Sequence, residues 1–379
     1  MYTDFVEKEL KKCLLCKNPL CHACPAETQI PKVISLARDG KTMEAGALLF
    51  DNNPLTAITG AVCPNHLYCH GACVLSKVNK AVNFGKIECE ISRQYIENPK
   101  LKIPTAKNKN AKKFLIIGSG PSGLALSYYL RKDGHNVTVY EREQHFGGML
   151  RYGIPDFRLD KTLIDKIVTA LESIGIKFKN NTTADLNNLE QYKSDFDAIV
   201  LAIGAGISKT LDIPGSSLAT PALEYLKSPK QAQSVIVIGA GNVAIDCTLT
   251  AAHNHAKSVN LCYRRDEAAM KAYPDELALA RSQGVRFNYF MVPKKITQTK
   301  TQKFRVEFER HDKKVTKTAD LVVLAIGQIA TPDGLVKATD FQTESPNIYA
   351  LGDAVTGPGT IIKAVASAKQ LFSQIIKQD

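Results

Sequence analysis

Tryptophan is absent from this chain, so no indole is available for stacking on nucleic-acid bases. Lys and Arg outnumber Asp and Glu by 49 to 37, but the surplus is spread along the whole length and implies a basic surface, not a nucleic-acid groove. No stretch approaches the roughly 20 apolar residues that span a bilayer, and no basic N-terminal start precedes an apolar run. The chain is therefore expected to be soluble, with no membrane segment. Beyond residue 89 only Cys247 and Cys262 remain of the ten cysteines, and no C-x-x-C pair lies there, which excludes dithiol exchange through such a pair. Concentration of the others at one end of a long chain also argues against a secreted disulfide scaffold and for a reducing cytoplasm. At 379 residues and 44% hydrophobic composition, two or three domains are expected.

What is present is a run of seven cysteines in the first fifth: Cys13, Cys16, Cys21, Cys24, Cys63, Cys69 and Cys73. The first three follow C-x2-C-x4-C, and Cys24 precedes Pro25, as the last cysteine of a ferredoxin run does when it ligates the second of two clusters. Two cubane clusters need eight ligands, so one more must come from elsewhere, and Glu88 and its neighbour Cys89 are the candidates. Tetrahedral zinc is the competing use of paired C-x2-C units. Helical patterns over Asp4 to Lys12, Ile30 to Phe50 and Ala81 to Glu97 frame the cysteines. Cys247 and Cys262 fall in later helix and strand patterns and read as small buried hydrophobes.

Two glycine-rich loops follow. The apolar strand Phe114 to Ile117 leads into Gly118, Gly120, Pro121, Ser122 and Gly123 and then an apolar helix. Such glycines let the backbone approach a pyrophosphate while free amides at the helix start bind it. The next strand ends in Glu141, 23 positions after the first glycine and suited to grip a ribose hydroxyl. A second unit repeats this about 120 residues on, with Gly239, Gly241, Asn242, Val243 and Ala244, but its second strand ends in Arg264 and Arg265. Guanidinium groups at that position suit a 2′-phosphate, so NADPH is expected over NADH. Ala198 to Gly204 recurs almost letter for letter as Leu321 to Gly327, as though the chain left one domain and re-entered it. A strand ending in Gly352 and Asp353 precedes an amphipathic helix starting near Thr360; this resembles two-dinucleotide-domain flavoproteins, and the resemblance implies that the helix's free amides stabilise negative charge on a reduced flavin.

The cysteine run, both loops, Gly147-Gly148-Met149-Leu150 with Arg158 beyond it, and the Tyr263-Arg264-Arg265 segment together resemble the glutamate synthase small-subunit family, which is related to the N-terminal half of dihydropyrimidine dehydrogenase. The resemblance covers essentially the whole chain. It implies an α/β fold: two Rossmann-like dinucleotide-binding domains, the NADPH domain inserted into the FAD domain, preceded by a helical domain with two [4Fe-4S] clusters. The expected boundaries are 1–110 for the cluster domain, 111–211 and 319–379 for the FAD domain, and 212–318 for the NADPH domain. The resemblance assigns Cys13, Cys16, Cys21 and Cys73 to one cluster and Cys24, Cys63, Cys69 and Glu88 to the other, preferring Glu88 to Cys89. It places Gly148, Met149, Leu150, Arg158 and Gly327 along the cofactors, and Asp353 at the FAD ribitol. Two departures stand out: two residues, not three, separate Cys21 from Cys24, and Lys271 replaces the proline expected after Met270.

The expected activity is NADPH oxidation through FAD and two clusters, with no side-chain acid or base assigned to the hydride step. No amidotransferase or FMN-barrel segment is recognisable, so a larger glutamate synthase subunit is expected as the electron acceptor. A dihydropyrimidine dehydrogenase-type partner or a ferredoxin is the alternative. A non-catalytic nucleotide-binding scaffold is the reading from another class. The basic stretch Lys100 to Lys113 reads as a solvated linker, or else as a docking segment for an acidic partner such as a ferredoxin.

Overall fold

The computed structural model describes residues 2–329 and 338–378. The chain forms two compact units, one of Met1–Arg151, Asp156–Ala205 and Ala330–Asp379, the other of Tyr152–Pro155 and Gly206–Ile329.

The first unit begins with five helices: Asp4–Lys12, Ile30–Arg38, Thr42–Asn52, Thr56–Val62 and Phe84–Ile96. Thr3 caps the first by accepting from the Val6 amide, and Asp4, Glu7, Lys11 and Lys12 place acids at its start and bases at its end, as the helix dipole favours. The expected single helix from Ile30 to Phe50 is two. Gly40 adopts a φ of +72° and the Lys41 amide donates back to the Leu36 carbonyl, closing a glycine C-cap that period alone does not reveal. Val6, Leu10, Ile34, Leu49, Ile87 and Ile91 form the core. Each buried aliphatic side chain stabilises by about 1.5–3 kcal/mol, so the cysteine loops hang from a fixed frame.

The same unit contains a seven-stranded sheet whose centre is four parallel strands in the order Ile348–Ala350, Ala198–Leu201, Lys113–Ile117 and Asn136–Tyr140. The helix Pro121–Lys132 leaves the end of the central strand, with proline at its first position where no amide is needed. It packs on the C-terminal helix Ile361–Gln378. Tyr128 and Tyr129 donate hydroxyl bonds to Asp51 (3.1 Å) and the Asn52 carbonyl (2.7 Å), tying the sheet region to the helix Thr42–Asn52 of the frame around the cysteine loops.

The second unit holds a five-stranded parallel sheet, ordered Thr220–Pro221, Leu321–Ala325, Ser234–Gly239, Ser258–Cys262 and Arg286–Asn288. An antiparallel meander of Val292–Gln298, Phe304–Arg310 and Lys313–Ala319 accompanies it. Here the structure differs from the expectation for the near-repeat. Leu321–Ala325 does not re-enter the first sheet; it pairs in parallel with Ser234–Gly239 in the second. The two copies are the equivalent strands of two separate sheets, alike because each is buried on both faces beside a nucleotide-loop strand. The return crossing comes later, where Gln328–Ile329 pairs with Ile207–Ser208.

Candidate functional site

The eight ligand candidates separate into two groups. Cys13, Cys16, Cys21 and Cys73 line one cleft with apolar walls that include Ile30, Ile34 and Phe84. Burial pushes the Cys13 thiol up and the Cys21 thiol to about 11, and the neighbouring sulfurs of this group push both further. Cys24, Cys63, Cys69 and Glu88 line a second cleft. Burial is again the first cause of the raised values, to about 12 at Cys69, with Glu88 and Cys24 adding to it at both Cys63 and Cys69. Cys69 borders both clefts, so the two groups are adjacent. Despite the short Cys21–Cys24 spacing, the chain delivers each cysteine to its own cleft.

Glu88 is fully enclosed, and burial lifts its carboxyl to about 8 against a single long hydrogen bond of 3.4 Å from Thr59 Oγ1. Cys89, one residue on, points its thiol to the Ala57 carbonyl at 3.6 Å and lines neither cleft. No three His, Cys, Asp or Glu side chains among the described residues converge closely enough to hold one metal ion. Four soft or anionic donors spread around a cleft fit a multi-atom iron–sulfur group better than a lone tetrahedral zinc.

The second cleft adjoins the C-terminal helix. Ile362 lines it, and Tyr68, another lining residue, places its hydroxyl 3.3 Å from Thr360 Oγ1 at that helix's start. Further along, Lys369 donates to the Ala26 carbonyl and to Asn52 Oδ1, both at 2.8 Å, pinning the turn after Cys24. Asp353 accepts from the Gly359 amide at 3.1 Å, and burial raises its carboxyl.

At the first loop, Gly118 sits at φ +106°, and a Cβ there would lie 2.4 Å from the Ala202 carbonyl oxygen. A Cβ on Gly120, by contrast, would meet nothing within 4 Å. That open space faces the start of the helix, where the first-turn amides have no intrahelical acceptor, and it is a cradle a phosphate fits. Gly352 closes against Ser122, and Gly148 against Gly120. Glu141 is buried; its Oε2 accepts from the Ser119 amide (3.1 Å) and hydroxyl (2.5 Å), its Oε1 from the Glu143 amide (3.0 Å). Ser119 Oγ in turn accepts from the Gly147 amide at 3.0 Å. The acid therefore braces the loop as well as presenting an oxygen. Leu150 is buried beneath this turn and Met149 is exposed. Arg158 is half-buried in the same unit.

The second loop repeats the skeleton. A Cβ on Gly239 would lie 2.1 Å from the Ala325 oxygen, and one on Gly241 would meet nothing within 4 Å. The Ala240 carbonyl accepts from the Lys271 and Ala272 amides (3.0 and 3.1 Å), and Asn242 Oδ1 from the Tyr273 amide (3.0 Å). Val243 lies half-buried in the first turn of this helix, and the position of Gly327 is likewise open. Arg264 and Arg265 are exposed and form no ion pair with any described residue. The acid that follows them, Glu267, is taken by Arg281 (2.6 Å) and the Tyr289 hydroxyl (2.8 Å).

Sequence reasoning missed Ser119, Tyr68 and Lys369. A serine directly after the first glycine of a loop is a local signal; the other two act across 292 and more than 300 residues and leave none.

The model of the family described as Pyridine nucleotide-disulphide oxidoreductase matches residues 112–368, and that of dihydropyrimidine dehydrogenase domain II, 4Fe-4S cluster, matches residues 1–99. The chain is 30% identical to the glutamate synthase [NADPH] small chain of Escherichia coli K12, over 99% of this chain and 93% of that one. It is also 30% identical to the NAD-dependent dihydropyrimidine dehydrogenase subunit PreT of the same strain, over 97% and 93%. Among solved structures, Mycobacterium tuberculosis FprA in complex with NADPH superposes with a TM-score of 0.61 at 18% identity, over 71% of this chain and 84% of that one, a likeness of fold. No helix among the described residues is long and apolar enough to cross a membrane. The chain belongs to the pyridine nucleotide-disulphide oxidoreductase family, in the branch that joins this FAD-dependent core to an N-terminal iron–sulfur domain and includes the glutamate synthase small chain.

Proposed function

We propose that this protein oxidises NADPH and passes the electrons through FAD and two [4Fe-4S] clusters to a larger partner subunit of the glutamate synthase type. The carrying observation is the arrangement within one unit of two adjoining clefts lined by the cysteines and Glu88, the second of which meets, through Tyr68 and Ile362, the start of the helix Ile361–Gln378. In this reading Cys13, Cys16, Cys21 and Cys73 hold one cluster and Cys24, Cys63, Cys69 and Glu88 the other. The first loop, with Gly120, Glu141 and Asp353, holds FAD; the second, with Gly241, holds the nicotinamide nucleotide. When bound, flavin divides a two-electron hydride donation into single electrons that iron–sulfur groups carry.

The residues' own work is binding and alignment. Arg264 and Arg265, unneutralised at the strand end, grip the 2′-phosphate; Glu141 fixes the first loop before any ligand arrives. Equal identity to an NAD-dependent dihydropyrimidine dehydrogenase subunit supports a second reading, in which the partner is of that type. The arginine pair favours NADPH and the first reading. The test is anaerobic purification with iron, sulfide, zinc and FAD analysis, then titration with NADPH or NADH. About eight irons, eight sulfides and one FAD per chain, with faster bleaching by NADPH, are expected. Zinc without sulfide, or a preference for NADH, would overturn the reading.

A further inference from the structure

The cleft of Cys13, Cys16, Cys21 and Cys73 opens on a surface of uneven composition. Leu14 and Leu20 line it and yet are 63% and 58% exposed, and Val78, at the end of the turn Val74–Val78 that follows Cys73, is 60% exposed. Single exposed hydrophobes are ordinary, but two large ones on the wall of one cleft, with a third at the end of a turn whose Val74 and Leu75 also line it, mark a surface that something covers.

The cysteine-bearing segments carry charge of one sign. No Asp or Glu occurs between Leu10 and Ala26 or between Asn52 and Ile87, the two segments that carry all seven cysteines. Lys17, Lys77 and Lys80 lie in those segments, exposed and without an ion pair to any described residue. Glu9, on the adjoining helix, is buried and paired with Lys12. Cations needed only to balance thiolate charge would sit against the sulfurs. Arg38 already does so, donating to the Leu10 and Cys13 carbonyls, which leaves the three lysines pointing into water.

Resting on the NADPH-to-cluster part of the relay reading above, and adding a second, diffusible acceptor to its larger subunit, we infer that this face docks an acidic electron-carrier protein, one whose own redox centre lies under an apolar patch ringed by carboxylates. Leu14 and Leu20 supply the dry contact over the cleft with Val78 beside it, and Lys17, Lys77 and Lys80 steer and orient the carrier. Each NADPH oxidised to NADP+ releases one proton and reduces two carrier molecules by one electron each.

The test uses the full-length holoprotein, a small acidic ferredoxin as probe and basic cytochrome c as counter-probe. In the triple variant Lys17→Glu, Lys77→Glu, Lys80→Glu, kcat/KM for ferredoxin at low salt should fall at least about 10-fold and its decline with salt should vanish, while cytochrome c reduction rises. Iron, sulfide and FAD content and the rate of flavin bleaching by NADPH should stay unchanged. Lys100→Glu, Lys102→Glu, Lys107→Glu, the same charge change in the exposed linker, should alter ferredoxin reduction less than about 2-fold. The inference is overturned if the first variant keeps its clusters and reduces ferredoxin as fast as wild type, if the linker variant loses as much, or if the wild type prefers cytochrome c at low salt. Should the glutamate variant lose its clusters, Lys17→Gln, Lys77→Gln, Lys80→Gln is judged in its place by a loss of about 3-fold or more. A wild type whose flavin bleaches while its clusters stay oxidised by electron paramagnetic resonance would instead sink the relay reading itself.

Discussion

The two nucleotide loops share a skeleton and differ in what stands at the end of the second strand. In both, the first glycine presses on an alanine carbonyl, Ala202 or Ala325, and the second glycine leaves open space at a helix start. In the first loop the strand-end residue is a buried acid bound by the loop's own serine and amides; in the second it is a pair of exposed arginines without an ion pair to any described residue. The shared part is what any pyrophosphate requires of a backbone. On the reading proposed above the difference carries recognition and also divides labour: Glu141 would serve fold and ligand together, and Arg264 and Arg265 the ligand alone.

The shared skeleton is most directly broken at its glycines. Gly118→Val and Gly239→Val each force a side chain into a carbonyl oxygen and should destabilise their unit by more than about 3 kcal/mol, read as a large drop in melting temperature. Gly120→Ala and Gly241→Ala meet no protein atom. Both should melt like the wild-type apoprotein but lose FAD or NADPH binding, respectively. If Gly120→Ala purifies with full FAD, the open space there is not the phosphate cradle.

Two buried acids sharpen the contrast between a saturated and an unsaturated carboxylate. Glu88 has one 3.4 Å bond, and its carboxyl is lifted to about 8, above the ordinary 4.5. In metal-free protein its contribution to stability is full below pH 4.5 and is lost as pH rises toward 8, on the order of 4 kcal/mol in all. Glu88→Gln should flatten the pH dependence of melting across that window; an unchanged slope would mean the carboxyl ionises freely. Glu141 has three donors. Glu141→Ala strands the Ser119 and Glu143 groups and should cost about 2–3 kcal/mol along with FAD affinity, measured by chemical denaturation and flavin content.

Much of this was legible because phosphate-binding loops are local. Gly118 to Gly123, Glu141, Gly239 to Ala244 and the arginine pair can each be placed from a strand, a glycine spacing and a helix start. The partition of eight ligand candidates between two clefts was not legible from spacing; only the family resemblance implied it, since loops that converge from Cys13 and Cys73 carry no mark of their meeting. The second copy of the Ala-Ile-Gly strand misled for a physical reason. Burial on both faces imposes the same apolar run in either sheet, so likeness of sequence marks likeness of environment and not membership of one sheet. Tyr68 and Lys369 lay out of reach because a hydroxyl or ammonium that bridges distant segments has no periodicity to betray it.

The smallest effect is the most specific. Arg264→Ala with Arg265→Ala removes two exposed side chains that pair with no acid among the described residues, so melting should shift by less than about 0.5 kcal/mol equivalent. A charge-assisted contact to phosphate is worth about 1.5–3 kcal/mol, so the KM for NADPH should rise about 10- to 100-fold. The KM for NADH, which offers no phosphate there, should change less than about 2-fold, and flavin content not at all. Parallel steady-state assays of the double variant with both nucleotides decide it. An equal rise for both would mean that the arginines shape the loop as Glu141 does, and the division of labour between the two strand ends would collapse.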